Sequence, residues 1–395
     1  MALDNVVRMT EVAGGRWCER IAARAAAVDR GEGGADESWR DVAEGGYLRL
    51  FHARRWGGSE ADGATWARAM EALARACAGT FWAASVSTIL CGKLLQDVAG
   101  PAAQARWLPG IVAGERIGCF AATERGAGSD PGSYRTTLRE SGRGYVLCGE
   151  KTRISNACSA DVAVVLARRE RAEDPRLAYA IVDLRGPGIV RRELAKTGLQ
   201  AMSWGTIEFV EVALTEECVV LDASLEGALR SVEWGQLIQA MSGLGLAGAA
   251  IEACREHARE RHAFGRPIAH LEVVHARLAA MYAELTAARL LVSAAARGKA
   301  EGRPVREAVM MAKIHASELA VRVTELALRS LGGAGFGKDH AAERLHRDSL
   351  ANGPAGLPND RLRELLVAPL LGVDAWRYPA FDGLRPAGLA LEDAG

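Results

Sequence analysis

The chain has 395 residues and balances 49 Lys+Arg against 49 Asp+Glu, so its formal net charge is zero. That balance excludes a generic electrostatic nucleic-acid binder, which needs a basic excess or a basic stripe to neutralise phosphates. A hydrophobic fraction of 49% and a charged fraction of 25% exclude a disordered or fibrous chain and predict two or three domains around a large core.

The first eleven residues carry Asp4 and Glu11 and no apolar core of signal-peptide length, so a cytoplasmic location is expected. From Val6 to about Ala113 the chain is rich in Ala, Arg, Glu and Leu, broken at Gly31–Gly34 and Gly57–Gly63, which predicts an N-terminal helical domain over 1–115. Short β-rich runs follow, Tyr145–Cys148, Val162–Ala167, Tyr179–Val182 and Ile207–Val212, and predict a small β domain over 116–225. Beyond Ser231 the helical pattern returns. Leu271, Val274, Leu278, Met281, Leu285, Ala288 and Val292 share one face of a long helix, and a second helix is expected from about Val305 to Leu331. This third domain, 226–372, reads as an antiparallel helical bundle, and the tail 373–395, with Pro379 and Pro386, is expected to wrap the surface or an interface. The longest apolar run, Leu237–Ile251, is interrupted by Gln239 and Ser242 and is expected to fall short of a membrane span. The 8 cysteines form no C-x-x-C pair and the 8 histidines no H-x-x-x-H pair, so reduced thiols and no metal are expected.

Two glycine patterns invite a dinucleotide reading. Gly243-Leu-Gly245-Leu-Ala-Gly248 matches G-x-G-x-x-G but lies inside a helical run, without the strand that the motif's chemistry needs, so close helix packing is the better account. Gly332-Gly333-Ala334-Gly335 also follows a helix and reads as a backbone loop that comes close to a ligand. The segment Thr123-Glu124-Arg-Gly126-Ala-Gly128-Ser129-Asp130, followed by Gly149-Glu-Lys151-Thr-Arg153-Ile-Ser155-Asn156, leaves amides and hydroxyls free to meet a heterocycle. Downstream, Arg261-His-Ala-Phe264-Gly265 offers a cation for a phosphate and a ring for stacking.

In this order, with Leu331-Gly-Gly-Ala-Gly and Arg347-Asp348, the motifs resemble the acyl-CoA dehydrogenase family from about Gly46 to Gly372. The resemblance implies an α+β, mainly α fold: an N-terminal α domain, a middle β domain and a C-terminal four-helix bundle. It further implies FAD, a homodimer or homotetramer sharing the flavin sites, and an acyl thioester substrate on coenzyme A or an acyl carrier protein. Carried over residue by residue, Phe120, Ala122 and Thr123 meet the flavin ring, Ser129 lies near the pyrophosphate or the pantetheine arm, and Arg153 and Ser155 stand beside the ring. Arg261 and Phe264 reach the adenine and pyrophosphate of a neighbouring subunit's FAD, while Arg329, Gly332 and Gly333 line its adenosine end.

Dehydrogenation needs a carboxylate to take the α-proton, and here the chain departs from the family pattern. The two positions that carry this glutamate in the family correspond to Gly356 and Gly235. Glu233 and Asp360 are the substitute candidates. The competing accounts are a solvated Glu233 and an Asp360 that caps a helix beginning near Arg361. Arg153 replaces a tryptophan, Arg329 a glutamine, and Gln236 an arginine that helps to hold the substrate. The leading expectation is FAD-dependent α,β-dehydrogenation of an acyl thioester in a specialised biosynthetic pathway. A flavin monooxygenase on the same fold and a non-catalytic flavoprotein stay open, and no partnership with nucleic acid or membrane is expected.

Overall fold

A computed structural model describes residues 15–170, 177–221 and 225–373. The opening eleven residues and the segment after Val373, on which expectations were stated above, lie outside the described residues. The N-terminal domain consists of α1 (Gly15–Asp29), α2 (Ala35–Glu44), α3 (Gly63–Ala76), α4 (Ala78–Val98) and α5 (Pro101–Ala113). Local chemistry sets their ends. The Asp62 carboxylate accepts a hydrogen bond from the Thr65 N–H at 2.6 Å to start α3. Pro101 opens α5, and Gly114, left-handed at φ 83°, closes it. Within α4 the stretch Val86–Lys93 is wound as a π-helix, a form that often accompanies functional sites.

The middle domain has β1 (Gly118–Ala121), β2 (Thr137–Ser141), β3 (Gly144–Ser155), β4 (Val162–Arg169), β5 (Leu177–Asp183), β6 (Ile189–Glu193), β7 (Trp204–Thr215) and β8 (Val219–Val220). They form one sheet in the order β6-β7-β3-β2-β4-β5-β8, with β1 parallel to β4. The β-rich runs of the sequence fall in β3, β4, β5 and β7. The other four strands are short or carry an exposed face, and so leave little hydrophobic pattern to read. In β4 the alternation of side chains layers the molecule. Ala163, Val165 and Ala167 join the core of the sheet itself, with Leu147, Ile207 and Phe209. Val162, Val164 and Leu166 pack outward on Leu95 of α4 and on Trp107 and Leu108 of α5.

The C-terminal domain contains α6 (Leu225–Glu260), α7 (Glu272–Ala300), α8 (Arg306–Leu331), α9 (Gly333–Phe336), α10 (Ala341–Ser349) and α11 (Asn359–Val367). Its core is continuous with that of the N-terminal helices, joining Phe81 and Ile89 to Leu237, Leu285 and Leu319. A Cβ on Gly243 would collide with the Ala316 carbonyl, and one on Gly245 with the backbone of α3 at Ala74. The G-x-G-x-x-G match is therefore a helix-packing surface. Consecutive long helices run antiparallel, as expected. However, α6 and α8 run parallel to each other, because Glu233 meets Arg306 and Gly243 meets Ala316 in step.

One expectation needs revision. Ala78–Val98, Ser231–Glu260 and Glu272–Ala300 are each long and apolar enough to cross a membrane by length and composition, so the Leu237–Ile251 run does not fall short on those measures. Its apolar window is 89% buried within the fold, as is that of α4, whereas that of α7 is 33% buried.

Candidate flavin and thioester site

The segment after β1 is held by a buried ion pair. Lys151, fully buried on β3, donates from Nζ to the Glu124 carboxylate at 2.7 Å and to the Ala122 carbonyl at 2.8 Å, and lies 4.2 Å from the Tyr134 ring centroid. Burial pulls the Lys151 ammonium down to about 8, opposed by Glu124. Burial pushes the Glu124 carboxyl up, but Lys151 and the backbone N–H groups of Arg135 and Thr136 hold it below its ordinary value. The Thr152 N–H donates to the Thr123 carbonyl at 2.9 Å, and Asn156 Nδ2 donates to the carbonyls of Ala83 and Gly118 at 2.9 and 3.1 Å. These bonds bring the end of β1 against the end of β3, where Phe120, Ala122, Thr123 and Ser155 are half-buried. Ser129, also half-buried, sits in the following turn, which the Asp130 carboxylate closes by accepting from the Gly132 N–H at 3.2 Å. Arg153 is exposed at φ 57°, where the β3–β7 register slips between Lys151 and Ile154. This bulge aims its side chain away from the strand's regular alternation.

A second group collects at the far end of the bundle. Arg261 and Phe264 lie on a small ribbon of His262–Ala263 against Arg266–Pro267 that follows α6. Arg261 is exposed, and Phe264, at φ 53°, is 90% exposed. A bulky residue in left-handed backbone with its ring in solvent is an unusual choice for a structural turn. Arg329 is exposed and pairs with Glu325 at 2.5 Å. Gly332 ends α8 at φ 60°, and Gly333 begins the short helix α9, so the glycine segment expected to be an open loop is helical from its second residue. The His257 and His340 rings, 6.3 Å apart, tie the end of α6 to this segment.

Neither substitute base sits as the sequence suggested. Glu233 is not solvated; it is buried, with one carboxylate oxygen bonded to Lys299 and the other 3.5 Å from Arg306. Its carboxylate is therefore engaged in ion pairs with Lys299 and Arg306. Asp360 does not cap α11, which begins at Asn359 with Pro358 before it; its side chain is 97% exposed and pairs with Arg363 at 2.9 Å. Of the two glycine positions, Gly235 is half-buried and Gly356 is exposed. A Cβ at Gly235 would stand 3.8 Å from Leu90 on the π-wound part of α4, and one at Gly356 would stand 3.0 Å from Gln239 Nε2 on α6. The segment carrying Gly356 is clamped by Lys313, fully buried on α8, whose Nζ donates to the carbonyls of Gly353 and Leu357 and to Asn359 Oδ1 at 2.7, 3.0 and 2.6 Å. Burial pulls its ammonium down to about 8. Sequence reasoning missed Gln239 and Lys313 as site residues. The available signal was a polar residue interrupting an otherwise apolar helical run.

The residues present suit a flavin. Apolar Phe120 and Ala122 beside the Thr123 and Ser155 hydroxyls match a flat ring with a polar edge, while an exposed guanidinium and an exposed ring at Arg261 and Phe264 match pyrophosphate and adenine. The backbone at Gly126, Gly332 and Gly333 has open space where a Cβ would stand.

Comparison with known proteins shows the family. The N-terminal, middle and C-terminal domain models of acyl-CoA dehydrogenase match residues 11–115, 119–212 and 225–370. The chain belongs to the acyl-CoA dehydrogenase family. Members of this family are FAD-dependent flavoenzymes that dehydrogenate acyl thioesters, and the protein is an oxidoreductase of that kind. The human mitochondrial short-chain specific acyl-CoA dehydrogenase is 33% identical over 309 residues, covering 77% of this chain and 75% of that one. Among solved structures, a glutaryl-coenzyme A dehydrogenase complexed with glutaryl-CoA superimposes with a TM-score of 0.87 at 27% identity, covering 95% and 96% of the two chains. A prolyl acyl carrier protein oxidase superimposes with a TM-score of 0.82 at 23% identity, covering 91% and 98%, a likeness of fold alone.

Proposed function

We propose that this acyl-CoA dehydrogenase relative oxidises an acyl thioester delivered by an acyl carrier protein in a specialised biosynthetic pathway. The observation that carries the reading is the half-buried Thr123 and Ser155 at the joined ends of β1 and β3, combined with Gln236 in place of the family's substrate-binding arginine and glycine at both base positions. A carrier-held substrate needs fewer contacts to a free nucleotide than coenzyme A does. FAD, when bound, supplies a hydride acceptor for the β-carbon. The chain's own part is to present the Thr123 and Ser155 hydroxyls to the ring edge and to hold that edge rigid through Lys151 and Glu124. With Glu233 engaged by two cations and Asp360 in solvent, the α-proton of a pre-activated acyl group leaves to water.

The same loss of a carboxylate favours a second reading, an oxygen-dependent flavin monooxygenase, in which no α-proton has to be removed. A homodimer or homotetramer is part of the proposal. In this reading the exposed Arg261 and Phe264 reach the flavin of a neighbouring chain. Phe264 and Phe336, 90% and 89% exposed, also want covering. The cytoplasmic location proposed alongside draws on 8 free thiols, of which Cys18, Cys77, Cys91, Cys119 and Cys254 are buried.

Anaerobic mixing of the FAD-loaded protein with acyl thioesters tests the choice. Bleaching of the flavin by thioester alone is expected. Bleaching only through a separate reductase, followed by oxygen-dependent product, would transfer the assignment to the monooxygenase. A folded protein with no affinity for FAD would end both readings.

A further inference from the structure

Gln236 and Gln239 stand one turn apart on the same face of α6, and each is 3% exposed. The Oε1 atoms of both are buried without a hydrogen-bond partner. Buried amides are ordinarily satisfied, and two such oxygens on one helix face call for a partner that the chain does not supply.

Position makes the pair more than a packing fault. Gln239 Nε2 lies 3.0 Å from where a Cβ at Gly356 would be, and Gly356, at φ 61°, presents no side chain in that direction. Gly235, adjacent in sequence to Gln236, would place a Cβ in ordinary contact with Leu90 on the π-wound part of α4. Two glycines and two unpartnered amide oxygens therefore occur along this part of α6 and the segment against it. The clamp from Lys313 to the carbonyls of Gly353 and Leu357 keeps the Gly356 segment in place. A plain hydrocarbon acyl chain entering here would leave both amides unsatisfied.

We propose that Gln236 and Gln239 form a polar subsite that recognises an N–H or O–H group within about two bonds of the α-carbon, so that the substrate is an amino- or hydroxy-substituted acyl thioester. The proposal rests on the thioester reading above, which places the α-carbon beside Gly235 and Gly356. The amides accept from the substituent and so select it; they are specificity residues rather than proton acceptors.

The test uses the full-length, FAD-loaded protein, reduced beforehand so that no turnover occurs, and three probes on the pantetheine arm that both carriers share: S-butyryl-, S-2-hydroxybutyryl- and S-2-aminobutyryl-pantetheine. Titration calorimetry is expected to show the hydroxy or the amino probe bound roughly tenfold or more tighter than butyryl. Gln239→Leu is expected to bring that preference to within about twofold, with butyryl gaining affinity as the apolar surface replaces the amide. The wild-type comparison stands even if the variant fails to fold. Butyryl bound as tightly as the substituted probes by wild type would overturn the subsite while leaving the thioester reading intact. Binding of none of the three would remove the thioester reading and the subsite with it.

Discussion

Lys151 and Lys313 are both fully buried, and burial pulls both ammonium groups down to about 8, yet the two regions they serve are built differently. Lys151 pairs with the Glu124 carboxylate and fixes the segment after β1 that is proposed to meet the flavin ring. Lys313 donates to three neutral oxygens and fixes the segment around Gly356, one of the two positions expected to carry the family's base. The first region keeps charge matched with charge, and its motif survives intact in the sequence. The second has lost its carboxylate but has kept a rigid backbone, held by a cation with no carboxylate bonded to its Nζ. The comparison teaches that a buried lysine can hold a segment in place either through a carboxylate or through neutral oxygens alone.

The comparison can be broken most forcefully at Lys151. Lys151→Met leaves Glu124 buried without its cation, a change that costs about 3–5 kcal/mol. Urea unfolding should show that loss, and the purified variant should retain little FAD, because the Thr123 segment loses its anchor. A variant that kept wild-type stability and flavin would remove the pair from this role.

Lys313→Met should cost somewhat less, about 3 kcal/mol, since the acceptors left behind are neutral. Flavin content should be unchanged while amide exchange around Gly353–Leu357 quickens. Its pH dependence sharpens the contrast. The folded-state value of about 8 lies below the ordinary lysine value of 10.5, so between these pH values the unfolded chain binds more protons than the folded one. Stability contributed by this position therefore rises as pH increases from about 8 toward 10.5, and the difference between wild type and Lys313→Met should grow over that window. A flat difference would mean that the ammonium is not destabilised by burial.

The smallest effect belongs to Asp360→Ala, which removes an exposed carboxylate paired only with Arg363. Stability should stay within about 0.5 kcal/mol of wild type and turnover should be unaltered. A large drop in turnover would restore Asp360 as the proton acceptor.

Much of the fold was legible. The three-part helical, β, helical texture, the strands β3, β4, β5 and β7 and the helix at 306–331 follow from periodicity that burial imposes on every such element. The short strands β2 and β6 were not, because Arg139, Glu140, Arg192 and Glu193 face solvent and erase the alternation. The chain order of motifs pointed to the flavin edge. By contrast, Glu233 was misread because its cations come from Lys299 and Arg306, far away in sequence. Gln239 was read only as an interruption of an apolar run, since nothing local says which face of a helix meets a cavity.

The sequence by itself determined the family, the order of the domains and the absence of glutamate at positions 235 and 356, because these are properties of residue identity and short-range spacing. Only the tertiary structure decided that Glu233 is neutralised, that Asp360 stands in solvent, and that Gln236 and Gln239 are buried with unpartnered oxygens beside the two glycines. Charge pairing and hydrogen-bond satisfaction depend on groups brought together from distant parts of the chain, so they exist only once α6, α7, α8 and the Gly356 segment are packed.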